Sequence, residues 1–219
     1  MWLTVSEYLD KINKDSVKYF DFNDRILQIT PDIIPLNFSL LFNNENPVKL
    51  EIGFGNGDSL IRLALRYPGF NFFGIDRKMD RVRTALSKLN KRERIPNLII
   101  ARLGTDYIEQ IFSPSSFAEI IMNFPDPWPK KRHNKNRTVS TDFLPQLHRM
   151  LDTDGCFRFA SDHPEYSLEV SDLLSGSDLF SNCYDTPYLH SVENRIETQF
   201  EKHKKREGWD IYYMKYRKK

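Results

Sequence analysis

Two short stretches of this 219-residue chain carry residue types whose spacing suggests chemistry. In the first, Glu51-Ile52-Gly53-Phe54-Gly55-Asn56-Gly57, a carboxylate stands just ahead of three alternating glycines. Glycines permit a tight turn and let a ligand approach the backbone closely. A dinucleotide-binding turn would read G-x-G-x-x-G and offer a helix N-terminus to a pyrophosphate. Here the spacing is G-x-G-x-G, and an acid beside a pyrophosphate would repel it. The same acid suits a ligand with a cationic end, such as the amino-acid portion of S-adenosylmethionine. Asp76, further along, is placed to accept hydrogen bonds from a ribose diol. NAD binding is the alternative ligand for this element, and a purely structural strand-to-helix turn is the plainer reading.

The second stretch is Asn123-Phe124-Pro125-Asp126-Pro127-Trp128-Pro129, followed by Lys130-Lys131-Arg132-His133-Asn134-Lys135-Asn136-Arg137. Prolines around the aspartate stiffen the loop, so its polar groups need little ordering when a substrate arrives. Trp128 either caps the core or stacks on a base, a contact worth about 1–3 kcal/mol. Lys130, Lys131, Arg132, Lys135 and Arg137 suit phosphates, which orient a nucleic acid without reading its sequence. Further basic residues cluster at Lys202-His203-Lys204-Lys205-Arg206 and at Lys215-Tyr216-Arg217-Lys218-Lys219. A solvated charged face is the plainer reading of any one run.

These residues need elements to hold them. From Val48 onward, apolar runs of strand length alternate with stretches of helical apolar spacing. Strands are expected at 48–52, 71–76, 98–102, 117–123 and 156–161, and helices at 58–67, 79–92, 108–112, 138–151 and 163–174. The fourth strand is almost wholly apolar, as the centre of a parallel sheet requires. Aromatic-rich segments 181–188 and 209–216 are expected as a final pair of strands. The alternation predicts an α/β fold, a doubly wound Rossmann-like sheet that is mostly parallel with helices on both faces. Such sheets bind ligands outside the carboxyl ends of their strands, where every motif above falls. Residues 1–46, interrupted by Pro31 and Pro35, are read as an N-terminal extension packed on the core domain of residues 47–219.

Composition narrows the function classes. Apolar residues make up 40% and charged residues 28%, a soluble globular balance. No apolar run approaches the roughly 18–20 residues that span a bilayer, so no membrane role is expected. The N-terminus lacks the basic and apolar regions of a secretory leader. Cys156 and Cys183 show no metal-ligand spacing and fit a reduced, cytoplasmic protein, and no metal is expected. Net charge is only +2, so the basic runs are local features that suggest an anionic partner.

The run from Pro125 to Arg137 closely resembles the signature of bacterial tRNA (guanine-N7)-methyltransferases. The likeness continues at Glu51-Ile52-Gly53-Phe54-Gly55, at Ser161-Asp162-His163-Pro164-Glu165-Tyr166 and at Thr198-Gln199-Phe200-Glu201. It implies that 47–219 is an S-adenosylmethionine-dependent methyltransferase domain acting on tRNA. The expected product is 7-methylguanosine, with the guanine in the variable loop. Cofactor contacts are then expected from Glu51, Gly53, Gly55, Gly57, Asp76 and Asn123, with Asp126 as the catalytic residue beside the guanine. Lys130, Arg132, Asp162, Thr198, Gln199, Phe200 and Glu201 fall on the guanine or RNA side. Two departures stand out. Asp76 occupies a position where the family often has glutamate, and Arg102-Leu103-Gly104-Thr105-Asp106 replaces a segment where many members carry an aspartate. Gly104 and Asp106 are the alternative adenine contacts.

Guanine N7 has an in-plane lone pair and no proton, so its methylation needs no general base. Asp126 is therefore read as a positioning and electrostatic residue. Asp162 either meets the guanine edge or caps the helix after it. Three rivals remain. Amine methyltransferases acting on adenine use a similar loop with an Asn/Asp-Pro-Pro-aromatic order, which this chain lacks. An RNA-binding module without chemistry would not need Glu51, the glycines or Asp126. An NAD-dependent oxidoreductase conflicts with the glycine spacing. Monomer and homodimer are both open.

Overall fold

The computed structural model describes residues 3–219. Met1 and Trp2, which open the stretch read as lacking a leader, lie outside the described residues, as does the side chain of Lys131.

The first residues form more regular structure than their mixed composition suggests. Helix α1 (Val5–Ser16) starts at Thr4, whose side chain and that of Glu7 make a reciprocal capping box. A two-residue strand, β1 (Ile26–Leu27), and a short helix, α2 (Phe38–Phe42), follow. The expected alternation then appears: β2 (Val48–Ile52), α3 (Asp58–Arg66), β3 (Asn71–Asp76), α4 (Met79–Asn90), β4 (Leu98–Arg102), α5 (Ile108–Ile111) and β5 (Phe117–Asn123). Next come α6 (Phe143–Met150), β6 (Leu151–Ser161), α7 (Pro164–Ser175), β7 (Phe180–Asn182), α8 (Gln199–Arg206) and β8 (Tyr212–Lys218).

Three expectations shift. The strands expected at 181–188 and 209–216 appear as the short β7 and as β8, which starts only at Tyr212. The helix expected over 138–151 begins only at Phe143. Ser140, Thr141 and Asp142 favour turns over helix interiors, and the Val139 N–H donates to the Tyr166 hydroxyl rather than continuing a helix. The strand expected at Cys156 is entered from Leu151, but its register with β5 jumps between Phe117 and Glu119. A Cβ on Gly155 would lie 2.9 Å from Asp152 backbone atoms, so the chain folds tightly there as the Asp154-Gly155 pair implied.

The eight strands form one sheet in the order β1-β4-β3-β2-β5-β6-β8-β7. Strands β1 to β6 pair in parallel, and β8 runs antiparallel to both its neighbours. Alternate side chains feed the two faces. Phe73, Ile75, Ile99, Ile120 and Met122 pack with Phe38 and with residues of α5, α6 and α7. Phe72, Leu98 and Ile100 pack with Leu60 and Ile61 of α3 and Val82 and Leu86 of α4. The sheet is thus a doubly wound, mostly parallel α/β sheet with helices on both faces. On the first face, Phe38 meets Phe73, Phe112 and Phe117 at ring-centroid distances of 5.3, 6.1 and 5.2 Å.

Residues 3–46 are thus anchored in part by an aromatic ring seated against three others. Phe38→Ala is expected to lower the unfolding free energy by about 3–5 kcal/mol, read from the denaturant midpoint at unchanged slope.

Candidate active site

The carboxyl ends of β2, β3 and β5 meet around Glu51. That residue is only 2% exposed. Its Oε1 accepts a hydrogen bond from Asn123 Nδ2 at 2.8 Å, whereas Oε2 is buried without a donor. Burial pushes the carboxyl up to about 7, opposed by the Asn123 hydrogen bond and the Arg195 charge and reinforced by Asp76. A buried acceptor without a donor is costly. The glycine turn beside it is open, for a Cβ on Gly55 would meet nothing within 4 Å. A donorless anion next to an open cradle fits a ligand bringing a cationic N–H group, as the amino-acid end of S-adenosylmethionine does. Gly53 also lies in this open turn. Gly57 serves packing: it caps α3 at φ +78°, and a Cβ there would come 2.8 Å from that of Ala85.

Asp76 locks the turn to β3. Its Oδ2 accepts from the Gly55 N–H at 3.0 Å and its Oδ1 from the Lys78 N–H at 2.8 Å. Burial raises its carboxyl against those two bonds. Each oxygen keeps a lone pair for a further donor. Past β4, the Gly104 N–H donates to the Tyr8 hydroxyl of α1 at 3.0 Å. Asp106 presents an exposed carboxylate beside it.

The loop after β5 is held in an unusual shape. Phe124 and Trp128 have φ of 51° and 45°, the left-handed region that costs non-glycine residues about 1–3 kcal/mol each. Arg137 holds it there. This residue is 6% exposed, its Nε donates to the Pro127 carbonyl at 2.8 Å, and its guanidinium pairs with Glu169 of α7. The guanidinium also lies 4.8 Å from the Tyr166 ring centre. The expectation that Arg137 binds phosphate is corrected: it is an internal strut, buried because a carbonyl, a carboxylate and an aromatic face satisfy it. Lys130, Arg132 and Lys135 are exposed, the latter two on a short 3-10 helix, Lys131–Asn136. The Trp128 ring stands edge-on to that of His133 at 5.8 Å.

Asp126 is exposed, and its Oδ2 lies 3.1 Å from Lys78 Nζ. Because β2 lies between β3 and β5, this ion pair bridges the end of β2 beside the glycine turn. An exposed pair of this kind contributes about 0–1 kcal/mol, so a ligand can displace it readily.

On the third side, Asp162 pairs with Lys204 of α8 at 3.4 Å. It does not cap α7. The cap is His163, whose side chain accepts from the Tyr166 N–H at 3.3 Å. Thr198 and Glu201 form the capping box of α8. Glu201 is 0% exposed and is held by Arg195 Nε and the Tyr213 hydroxyl, so it faces the interior rather than the surface expected of it. Gln199 and Phe200 are exposed, and Phe200 sits 5.1 Å edge-on from Phe124.

Two residues absent from the sequence reading belong to this site. Lys78 faces Asp126, and Arg195 Nη2 donates to Asn123 Oδ1 at 2.6 Å. Lys78 could have been suspected from its place two residues past Asp76. Arg195 reaches Asn123 only through the antiparallel return of the chain, which no local spacing records. Among the described residues there is no group of three His, Cys, Asp or Glu side chains able to hold a metal, and no helix long and apolar enough to cross a membrane.

Glu51 ties stability to pH. An unfolded chain ionises this group near 4.5, while the folded protein keeps its proton until about 7. Its contribution is therefore full below 4.5 and declines as pH rises through 7. Ligand-free protein is expected to lose about 1–3 kcal/mol over that interval that Glu51→Gln does not lose, measured by denaturation at a series of pH values.

Residues 45–214 match the family model "Putative methyltransferase". The tRNA (guanine-N(7)-)-methyltransferase of Leptospira interrogans is 38% identical over 167 residues, covering 75% of this chain and 76% of that protein. Its counterpart from Lachnoclostridium phytofermentans is 36% identical over 164 residues, covering 74% and 76%. Among solved structures, a 16S rRNA (adenine(1408)-N(1))-methyltransferase from Catenulisporales acidiphilia with cosubstrate SAM superposes with a TM-score of 0.60. It covers 84% of this chain and 91% of its own at 13% identity, a likeness of fold alone. An antibiotic-related methyltransferase gives 0.58 at 14% identity, covering 87% and 96%. The family model spans both the glycine turn and the loop after β5, and together with these relatives it makes this chain a member of the tRNA (guanine-N(7)-)-methyltransferase family.

Proposed function

We propose that the protein transfers a methyl group from S-adenosylmethionine to N7 of a guanine in tRNA, and that this guanine lies in the variable loop. The observation that carries the reading is the shared end of β5. Asn123 holds the buried carboxylate of Glu51 there, and three residues later Asp126 stands exposed at the head of a braced, cationic loop. A methyl-donor pocket and a guanine-facing acid are thereby fixed to one strand.

Bound S-adenosylmethionine supplies an electrophilic methyl on a sulfonium centre. Glu51 offers the donorless Oε2 to the ammonium of its amino-acid end, and Asp76 offers acceptors to the ribose. Asp106 is the adenine-side candidate, because the Gly104 amide is already engaged by Tyr8. Asp126 exchanges Lys78 for the guanine edge, orients the base and balances the positive charge that N7 methylation gives the ring. No side chain needs to remove a proton, so the rate comes from positioning, an effect that can reach about 7–11 kcal/mol. Lys130, Arg132 and Lys135 take phosphates, while Asp162, Thr198, Gln199 and Phe200 line the side toward the RNA. A substrate tRNA places the reaction in the cytoplasm.

Incubation with labelled S-adenosylmethionine and unmodified tRNA is expected to give 7-methylguanosine on nucleoside analysis, and cleavage at the modified base should map it to the variable loop. Label in another nucleoside would overturn the reading. Asp126→Ala is expected to lower kcat by about 100-fold or more with tRNA affinity little changed. Lys130→Ala should weaken tRNA binding uniformly and reduce the salt slope of log K by about 1.

A further inference from the structure

A continuous line of polar groups, buried at Glu51 and Glu201 and partly buried at Asn123 and Arg195 between them, connects the Glu51 carboxylate to the last helix. Glu51 Oε1 accepts from Asn123 Nδ2 at 2.8 Å, and Asn123 Oδ1 accepts from Arg195 Nη2 at 2.6 Å. Arg195 Nε reaches both Glu201 oxygens at 3.0 and 3.2 Å, and Glu201 also takes the Tyr213 hydroxyl. The guanidinium lies 4.9 Å from the Tyr213 ring centre.

The chemistry of this line is directional. A guanidinium has only donors, so the Asn123 atom facing it must be the carbonyl oxygen. The amide NH2 is thereby turned toward Glu51, where it supports the ionised carboxylate and leaves Oε2 for the ligand. A flipped amide would set its oxygen against the carboxylate and repel it. Against a protonated Glu51, which can donate as well as accept, the amide could take either orientation, and Arg195 selects the one that suits the ionised carboxylate.

We propose that Arg195 is a positioning residue for the methyl donor: acting through Asn123, it fixes the amide orientation that keeps Glu51 ready to receive a cationic amine. Glu201 and the capping box of α8 hold Arg195 in turn, so the family's Thr198–Glu201 segment serves the cofactor from behind as well as bordering the RNA side. The inference rests on the reading of Glu51 as the ligand of the donor's ammonium group.

Charged groups bearing on Glu51 are Arg195 across Asn123 and Asp76 on the neighbouring strand. Arg195 opposes the upward push of burial on the Glu51 carboxyl. Below the pKa of a carboxylate that must be ionised, affinity rises about tenfold per pH unit, and above it the affinity levels off. Removing Arg195 therefore moves the plateau to higher pH.

The probe is S-adenosylhomocysteine, titrated calorimetrically from pH 5.5 to 9 into the intact protein. Arg195→Met is paired with Glu201→Gln so that no buried charge is left unpartnered, and its folding is checked by circular dichroism. Against wild type, the double variant is expected to bind about tenfold or more weakly near pH 7 and to level off at higher pH. Arg195→Lys, which keeps a donor toward Asn123, should recover part of that loss. Adding Asn123→Ala to the double variant should cost little more than Asn123→Ala alone, since both act on one path. Unchanged affinity and plateau in the folded double variant would overturn the inference, as would full additivity with Asn123→Ala. If Glu51→Gln itself binds S-adenosylhomocysteine normally, the reading of the donor site has failed instead.

Discussion

Carrying a carboxylate into the end of a parallel sheet sets terms for everything around it. Glu51 loses nearly all of its hydration on folding and regains one hydrogen bond and one distant positive charge. An apolar residue at this place would make a more stable ligand-free protein. The remaining imbalance lies next to the open glycine turn. Asp76 fastens that turn, Asn123 occupies one carboxylate oxygen, and the other is buried without a donor.

The loop after β5 resolves a different conflict. A surface that binds RNA needs exposed cations, but exposed cations repel one another and loosen the backbone that carries them. Here the run from Lys130 to Arg137 is divided by burial. Lys130, Arg132 and Lys135 face solvent, while Arg137 turns inward and braces the chain at Pro127. The left-handed residues Phe124 and Trp128 at either end of the proline segment then become tolerable, because contacts from α7 and β6 hold the chain there. Arg137, expected from the sequence as one phosphate ligand among five, instead braces the loop that carries the exposed cations.

The sequence disclosed the sheet and the strand-end motifs well, because both depend on local patterns. Apolar runs of β2 to β5 and the glycine spacing can be read without knowing what lies across from them. The boundaries that moved, at Thr138–Asp142 and Leu151–Gly155, depend on tertiary partners such as the Tyr166 hydroxyl. The same limit applied within the site. Arg137 and Glu201 announce a charge but not a direction, and burial decided theirs. Lys78, at the start of α4, and Arg195, in the loop before α8, meet their partners only in the folded chain.

The two ends of the sheet are its shortest strands, Ile26–Leu27 at one border and Phe180–Asn182 at the other. An open border of parallel strands is a template on which any extended chain can continue the ladder. By closing β4 with two residues and β8 with three, the protein leaves almost no backbone register for a stranger to join. The N-terminal segment thus guards against aggregation as well as filling the core. Edge-to-edge pairing is thereby disfavoured, and a chain lacking residues 26–27 would expose the full length of β4 as a sticky edge.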